Sequence, residues 1–260
     1  MRSPARSTQP RAARDDWDAH WDQYALAAEY NPAQAYRRRL VLRALERSSL
    51  PERLLDVGSG QGDFLLDAAR RWPQAELVGL EASQRGNEIA QVKLPSASFE
   101  LVDLSSDVPP APALAGWATH AVCSEVLEHV DHPTSFLRQV RAYLEPGATL
   151  VVTVPGGSMS AFDERIGHRR HYSPELLRQT LTEAGLNPTA TFRAGFPFFN
   201  LYRAVVISRG ERLIGDLAQG NGRPTWAART AMTVFRPLLA LSLPRSPWGT
   251  QIIGIACEPR

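Results

Sequence analysis

The sequence predicts an α/β fold in which a mostly parallel sheet carries helices on both faces. Short apolar runs alternate with helix-length amphipathic segments over most of the chain, and this rhythm is typical of βαβ units. Several runs are almost continuously apolar, as expected for parallel strands buried on both sides. With 260 residues, 43% hydrophobic and 22% charged, the chain has the composition of a soluble globular protein that can bury a full core.

The elements follow in order. A helix is predicted over residues 33–47, because Tyr36, Leu40, Val41 and Leu45 recur at helical spacing with arginines on the opposite face. Apolar runs bounded by turn residues predict the strands, and amphipathic segments between them predict further helices. The predicted strands are 53–58, 75–81, 98–103, 120–125, 149–155, 189–194 and 250–258, and the predicted helices after the first are 63–72, 133–144 and 173–185.

The alternation of strands and helices ends after residue 195. Two apolar stretches with interspersed arginines follow before the last strand. We therefore divide the chain into a basic tail expected to be disordered (1–14), a core (15–195), a helical insertion (196–248) and a final core strand (249–260). We expect Pro237 to break or kink a helix in the insertion. The net charge of +2 hides an uneven distribution: residues 15–195 carry 17 basic and 24 acidic residues, whereas both ends are basic.

Localisation signals are few. No apolar run is long enough for a transmembrane helix, and the first 14 residues lack the apolar centre of a secretory signal. Cys123 and Cys257 lie in apolar strand-like runs, which suits free thiols in a reducing compartment. We therefore expect a cytoplasmic protein.

A glycine-rich loop follows the first strand. Gly58, Gly60 and Gly62 alternate between this strand and a helix, so the backbone can turn sharply and approach a ligand at the helix N-terminus. The spacing is neither the dinucleotide fingerprint nor a P-loop. Glu81 and Asp103 end the next two strands, at the carboxyl edge where open α/β sheets bind ligands.

These residues, together with Asp56, resemble class I S-adenosylmethionine-dependent methyltransferases, including ubiquinone-biosynthesis O-methyltransferases. The resemblance implies a Rossmann-like seven-stranded sheet with the last strand antiparallel between the fifth and sixth. It also implies an initial lid-like segment, with Tyr24 and Arg37 helping to close over the cofactor; packing and a solvated face are the alternatives for these two. The resemblance implies the following cofactor-binding residues: Asp56, Gly58, Gly60, Gly62, Glu81, Asp103, Leu104, Ser124 and Arg37, with the loop facing methionine and ribose, Glu81 the ribose hydroxyls, and Asp103 with Leu104 the adenine.

An acidic and histidine-containing motif, SEVLEHV, follows the fourth strand. If a helix starts at Ser124, then Glu125, Glu128 and His129 share one face of one turn. Two carboxylates and an imidazole suit Mg²⁺ or a similar divalent ion. The motif is similar to Glu-x-x-Glu-His in small-RNA 2′-O-methyltransferases and ubiquinone O-methyltransferases, which implies a later histidine as a further ligand. His168 is the better match and His171 the alternative.

The sequence leaves the role of these residues open. With a metal, the substrate's hydroxyls would be acidified and aligned with the methyl group; without one, His129 or His168 could act as a general base, or the histidines could be structural. The predicted function is O-methylation of a hydroxyl on a small apolar or amphiphilic metabolite of natural-product, quinone or lipid-linked type. The alternatives are metal-independent C- or N-methylation and a non-catalytic binding subunit.

The insertion also permits three interpretations: a lid over the substrate, an interfacial helix on anionic lipid, or packing that includes a homodimer contact. The expected partner is a small-molecule acceptor. Nucleic acid is not expected, since the arginines are scattered and form no stripe interleaved with aromatic residues.

Overall fold

A computed structural model describes residues 16–22, 31–106, 108–219 and 226–260, without the side chains of residues 210–219, 227 and 228. The predicted basic tail and Tyr24 lie outside the described residues. After a helical stretch, α1 (residues 17–22), the helices are α2 (Pro32–Leu45), α3 (Asp63–Arg71), α4 (Gln84–Lys93), α5 (Pro133–Arg141), α6 (Ala161–Arg165), α7 (Pro174–Glu183), α8 (Phe198–Gln219) and α9 (Trp226–Ala240). The strands are β1 (Arg53–Val57), β2 (Glu76–Glu81), β3 (Ser98–Leu101), β4 (Ala118–Ser124), β5 (Leu144–Pro155), β6 (Asn187–Ala194) and β7 (Gln251–Cys257).

The seven strands form one sheet in the order β3-β2-β1-β4-β5-β7-β6. The first five pair in parallel, whereas β7 is antiparallel to both β5 and β6. This confirms the predicted sheet, including the antiparallel last strand between the fifth and sixth. The order of strands reverses between β1 and β4, and such a switch point opens a crevice at the carboxyl edge of the sheet.

Two hydrophobic layers cover the sheet. One packs α5 and α7 against one face, around side chains such as Leu137 and Leu177; the other packs α2, α3, α8 and α9 against the opposite face, around Leu45 and Leu65. Burial of these apolar stripes accounts for the predicted helical spacing of α2, α3, α5 and α7. None of the described helices is both long and apolar enough to cross a membrane.

Helix α4 was not predicted. Its sequence has few apolar residues and an internal glycine, and its start depends on Ser83, whose hydroxyl accepts a hydrogen bond from the amide of Gly86 at 2.9 Å. A side-chain cap, rather than a hydrophobic stripe, therefore sets this helix.

No helix starts at Ser124, which was the condition for Glu125, Glu128 and His129 to share one face. Glu125 has a left-handed backbone with φ of 58°, and only a 3₁₀ turn, Leu127–His129, follows. The amide of Glu125 still donates to Thr153 O at 2.9 Å, so the strand pairing persists where the helix was expected to begin. Of the two effects expected at Pro237, a break does not occur, since α9 continues through this residue, and a kink stays a prediction.

Candidate active site

The glycine loop (residues 58–62) lies at the carboxyl end of β1. Gly58, Gly60 and Gly62 have φ values of 71°, 53° and 77°, a backbone region that residues with a Cβ rarely adopt. The amides of Gly58 and Ser59 both donate to Leu80 O, at 2.8 and 3.0 Å, which ties the loop to β2. The loop leads directly into α3, so the first turn of this helix, with its unpaired backbone amides, begins where the loop ends.

Glu81 joins this loop to the turn after β2. Its Oε2 accepts from the amide of Gly60 at 2.7 Å and its Oε1 from the amide of Ser83 at 2.9 Å. Burial raises the pKa of this carboxyl, although these backbone donors oppose the shift. Glu81 is thus a buried acceptor at the centre of the crevice.

The remaining predicted cofactor residues line the same edge or support it. Asp103 follows β3 and accepts from Ser105 N at 2.9 Å, while Leu104 beside it is buried in the core. Ser124 ends β4, and its hydroxyl lies 2.8 Å from that of Thr153. Ser124 therefore faces β5 rather than the glycine loop.

Helix α1 lies across the glycine loop, in agreement with the lid-like segment implied by the sequence. The indole of Trp21 occupies the space that a Cβ at Gly60 would fill, and it also contacts Gly86. Its Nε1 is buried and has no hydrogen-bond partner within residues 16–22, 31–106, 108–219 and 226–260. Asp18 fixes the helix by accepting from Ser83 Oγ at 2.6 Å and from Arg85 N at 3.0 Å. Sequence reasoning selected Tyr24 in this segment and missed Trp21.

Arg37 lies in a closed polar network with Glu125 and Gln251. Its Nη2 is 2.9 Å from Glu125 Oε2, and its Nε donates to Gln251 Oε1 at 3.0 Å. Gln251 Nε2 in turn donates to Glu125 Oε1 at 2.7 Å. The network joins α2, the end of β4 and the start of β7, and it commits the carboxylate of Glu125 to these partners.

A second set of polar side chains lies near this network. It consists of Glu128, His129 and His168, and we call it the histidine group. One ligand atom from each of the three falls within 4.8 Å of the others. Glu128 is fully buried, and neither of its carboxyl oxygens has a hydrogen-bond partner in the described part of the chain. The structure thus brings together three of the four predicted metal ligands, and Glu125 is not part of the set.

Burial controls the protonation of the histidine group. It lowers the pKa of His129 to about 4 and that of His168 to about 3, where the neighbouring His129 adds to the effect. Both imidazoles are therefore neutral at pH 7. Burial, followed by the charge of Glu125, raises the pKa of Glu128 well above its ordinary value. A divalent cation is bound by neutral imidazoles and by a carboxylate, which loses its proton when the ion binds. The histidine group offers both kinds of metal ligand.

A second layer supports the histidine group: it contains His171, which the sequence offered as an alternative ligand, and Asp163 and Arg203, which sequence reasoning missed. His168 Nδ1 lies 3.1 Å from His171 Nε2, and Asp163 approaches both rings at 3.7 to 3.8 Å. Asp163 accepts from Ser160 N and Oγ, and Arg203 of α8 lies 3.5 Å from it. Burial alone would raise the pKa of Asp163, but these hydrogen bonds and the Arg203 guanidinium lower it.

The capping box at Ser160 and Asp163 was a local signal that could have drawn attention to Asp163. Nothing local points to Arg203, because its contact with Asp163 depends on how the insertion packs.

Comparison with known proteins shows the family. A family model described as a methyltransferase domain matches residues 21–191. The chain belongs to the S-adenosylmethionine-dependent methyltransferases. It is 32% identical over 230 residues to a trans-aconitate 2-methyltransferase of Methylobacterium nodulans, a match that covers 84% of this chain and 81% of that protein.

Two further similarities show how far the likeness extends. A trans-aconitate 2-methyltransferase of Pseudomonas paraeruginosa is 34% identical over 141 residues, covering 53% of this chain but only 48% of that protein, so the match spans about half of the relative. A phosphoethanolamine N-methyltransferase 2 of Haemonchus contortus, solved with S-adenosylhomocysteine, has 15% identity and a TM-score of 0.65 over 97% of this chain and 61% of that chain. This last likeness shows the fold alone.

This methyltransferase uses S-adenosylmethionine as cofactor, and the crevice fits it. The left-handed backbone of Gly58, Gly60 and Gly62 forms the tight loop, and Glu81 offers a carboxylate beside it. The indole of Trp21 covers Gly60, and its Nε1, which has no hydrogen-bond partner among the described residues, lies near Gly86. The methyltransferase therefore has hydrogen-bonding groups together at the switch point of its sheet.

Asp56 of the methyltransferase, predicted to contribute to cofactor binding, lies buried within β1. Burial, and then the charge of Glu81, raises its pKa from 3.8 to about 8. The folded state therefore binds this proton more tightly than the unfolded state does, so the stability contribution is complete below about pH 4 and is lost as pH rises toward 8. At neutral pH the side chain is a carboxylic acid.

We expect Asp56→Asn to reduce the pH dependence of stability. Between pH 5.5 and 8, the unfolding free energy of the wild type should fall by about 2 to 3 kcal/mol more than that of the variant, measured by urea denaturation. Glu88→Gln, which changes an exposed carboxylate, should leave the wild-type pH profile intact. Parallel profiles for Asp56→Asn and wild type would show that Asp56 is ionised in the folded protein.

Proposed function

We propose that the enzyme methylates a hydroxyl oxygen of a small apolar or amphiphilic acceptor, with a divalent ion such as Mg²⁺ held by Glu128, His129 and His168. One observation carries the proposal: the carboxyl group of Glu128 is fully buried beside two neutral imidazoles and has no hydrogen-bond partner among the residues that the structure describes. An uncompensated buried carboxyl is costly, and a cation is the partner that would stabilise it.

We assign the cofactor to the glycine loop, with Glu81 on the ribose hydroxyls and Asp103 with Leu104 near the adenine. Glu81 is favoured because it is buried and already accepts from Gly60 N in the crevice. Arg37 is assigned to holding Glu125 rather than to the cofactor, because its ion pair lies at 2.9 Å. When bound, S-adenosylmethionine supplies an electrophilic methyl group.

The two imidazoles are oriented for contact through their Nε2 atoms. His129 Nδ1 lies 3.2 Å from Gly167 O, and His168 Nδ1 faces His171 at 3.1 Å. If both Nδ1 atoms carry the hydrogen, both Nε2 lone pairs are available to an ion or to a hydroxyl proton. A divalent ion in the histidine group would supply positive charge against the charge that develops on the acceptor oxygen.

The charge of the surrounding side chains favours a neutral acceptor over an anionic one. Arg37, Arg169 and Arg203 lie near the histidine group or its second layer, and each faces a carboxylate of the chain itself. An anionic acceptor would have to compete with Glu125, Asp131 or Asp163 for these cations. A neutral hydroxyl acceptor avoids this competition.

A second candidate is methylation of an anionic acid such as trans-aconitate. It is favoured by the names of the curated relatives, one of which is matched over 84% of this chain. The two candidates differ in what they require of the histidine group, because methylation of a carboxylate needs neither a base nor a metal to remove a proton.

The deciding experiment measures S-adenosylhomocysteine formation by the purified full chain with a catechol, an apolar vicinal diol and trans-aconitate as acceptors. We expect turnover with a hydroxyl acceptor that chelator abolishes and Mg²⁺ or Mn²⁺ restores. Glu128→Gln should lower this turnover about 100-fold with unchanged cofactor affinity, whereas Glu145→Gln, a distant partly exposed ion-pair residue, should behave as wild type. Chelator-resistant turnover confined to trans-aconitate would establish the second candidate instead.

A further inference from the structure

Helix α9 has apolar side chains on both of its faces. Phe235 and Leu239 lie on the inner face, where Leu239 is 1% exposed and the helix packs on α2. On the outer face, Trp226 is 81% exposed and Val234 is 56% exposed. A surface helix normally presents polar residues outward, so large apolar side chains exposed among the arginines of α9 indicate a further contact surface.

The exposed apolar residues continue beyond the end of α9. Leu241 is 67% exposed, Leu243 47% and Trp248 67%, all in the segment that leads to β7. We call Trp226, Val234 and these three residues the outer patch. Large apolar side chains exposed along one helix and its adjoining segment mark an interaction site more often than chance exposure.

The chain segment that carries the outer patch is basic. From residue 217 to residue 257 the sequence contains four arginines and no aspartate or glutamate. Arg229 and Arg236 of α9 and Arg245 of the following segment are exposed. The patch therefore complements an anionic surface.

This charge pattern argues against a second copy as the occupant. A two-fold contact would bring the same patch of both copies together, and no acidic residue between 217 and 257 could face the arginines of the other copy. An anionic bilayer meets both requirements, because its headgroups pair with arginine while tryptophan and aliphatic side chains enter the acyl boundary.

We propose that the outer patch docks the enzyme peripherally on an anionic lipid surface. The contact lies on the insertion that also supports the active site, since Arg203 of α8 faces Asp163 behind His168. Docking would hold the site close to the bilayer, where amphiphilic acceptors reside. The proposal is independent of which acceptor atom is methylated.

The test is co-sedimentation of the full chain with phosphatidylcholine vesicles, with or without 30% phosphatidylglycerol as probe lipid. We expect binding to the anionic vesicles only, weakened by salt. The double variant Arg229→Glu, Arg236→Glu should lower the partition coefficient at least about tenfold, and Trp226→Ser with Val234→Ser should also reduce it. The matched control Arg70→Glu, Arg178→Glu, which reverses two exposed arginines on α3 and α7, should bind like the wild type.

Cofactor affinity and turnover with a soluble acceptor should stay at wild-type values in all these variants, which separates this test from that of the methylation chemistry. Absence of wild-type sedimentation with anionic vesicles would overturn the proposal. So would equal binding by the charge-reversed variant and the wild type, or a dimer in sedimentation equilibrium that the outer-patch variants dissociate.

Discussion

Replacing Glu81 by alanine is expected to lower the affinity for S-adenosylmethionine about 100-fold. Glu81 is 7% exposed, and its two oxygens accept from the amides of Gly60 and Ser83. The substitution removes the acceptor assigned to the ribose hydroxyls and leaves two backbone donors in the crevice without an acceptor. A hydrogen bond to a charged group contributes about 1.5 to 3 kcal/mol, and about 2.7 kcal/mol corresponds to a factor of 100.

Isothermal titration calorimetry with S-adenosylhomocysteine measures this effect without turnover. Glu81→Gln should lose less affinity than Glu81→Ala, because its amide oxygen can still accept one hydrogen bond. Glu76→Ala is the matched control, since Glu76 begins the same strand at the opposite edge of the sheet and is exposed. Wild-type affinity in Glu81→Ala, with the fold intact by circular dichroism, would remove Glu81 from the cofactor site.

The sheet was predictable from the sequence because each of its central strands is buried on both sides and therefore reads as a continuous apolar run. The glycine loop was equally accessible, since three closely spaced glycines after such a strand have a direct conformational reason. Helix α4 was not predicted, because its sequence lacks a pattern of this kind. Its position depends on one hydrogen bond from Gly86 to Ser83, and such a contact leaves little trace in hydrophobic spacing.

The sequence predicted the residues of the histidine group but not their arrangement in space. The spacing of Glu125, Glu128 and His129 indicates a shared face only if the backbone is helical, and Glu125 adopts a left-handed conformation instead. The ion pair with Arg37, 88 positions earlier in the chain, then holds Glu125 away from the group. Contacts between distant segments, including that of Arg203 with Asp163, depend on packing that no local pattern encodes.

Replacing His168 by alanine is expected to lower turnover about 100- to 1,000-fold while cofactor affinity changes less than about twofold. His168 joins the histidine group to its second layer, because its ring lies 4.8 Å from that of His129 and its Nδ1 faces His171. His132→Ala is the matched control, since His132 is exposed and lies only three positions after His129. Wild-type turnover in His168→Ala would exclude this residue both as a metal ligand and as a base.

The double variant of His129 and His168 distinguishes these two roles. If both imidazoles bind one ion, losing either should disable the site, so the double variant should be little worse than each single variant. Raising the Mn²⁺ concentration should then restore part of the activity of the single variants, because the remaining ligands still bind the ion, although with lower affinity. If His168 acts as a base, its loss should be insensitive to Mn²⁺, and the effects of the two substitutions should multiply.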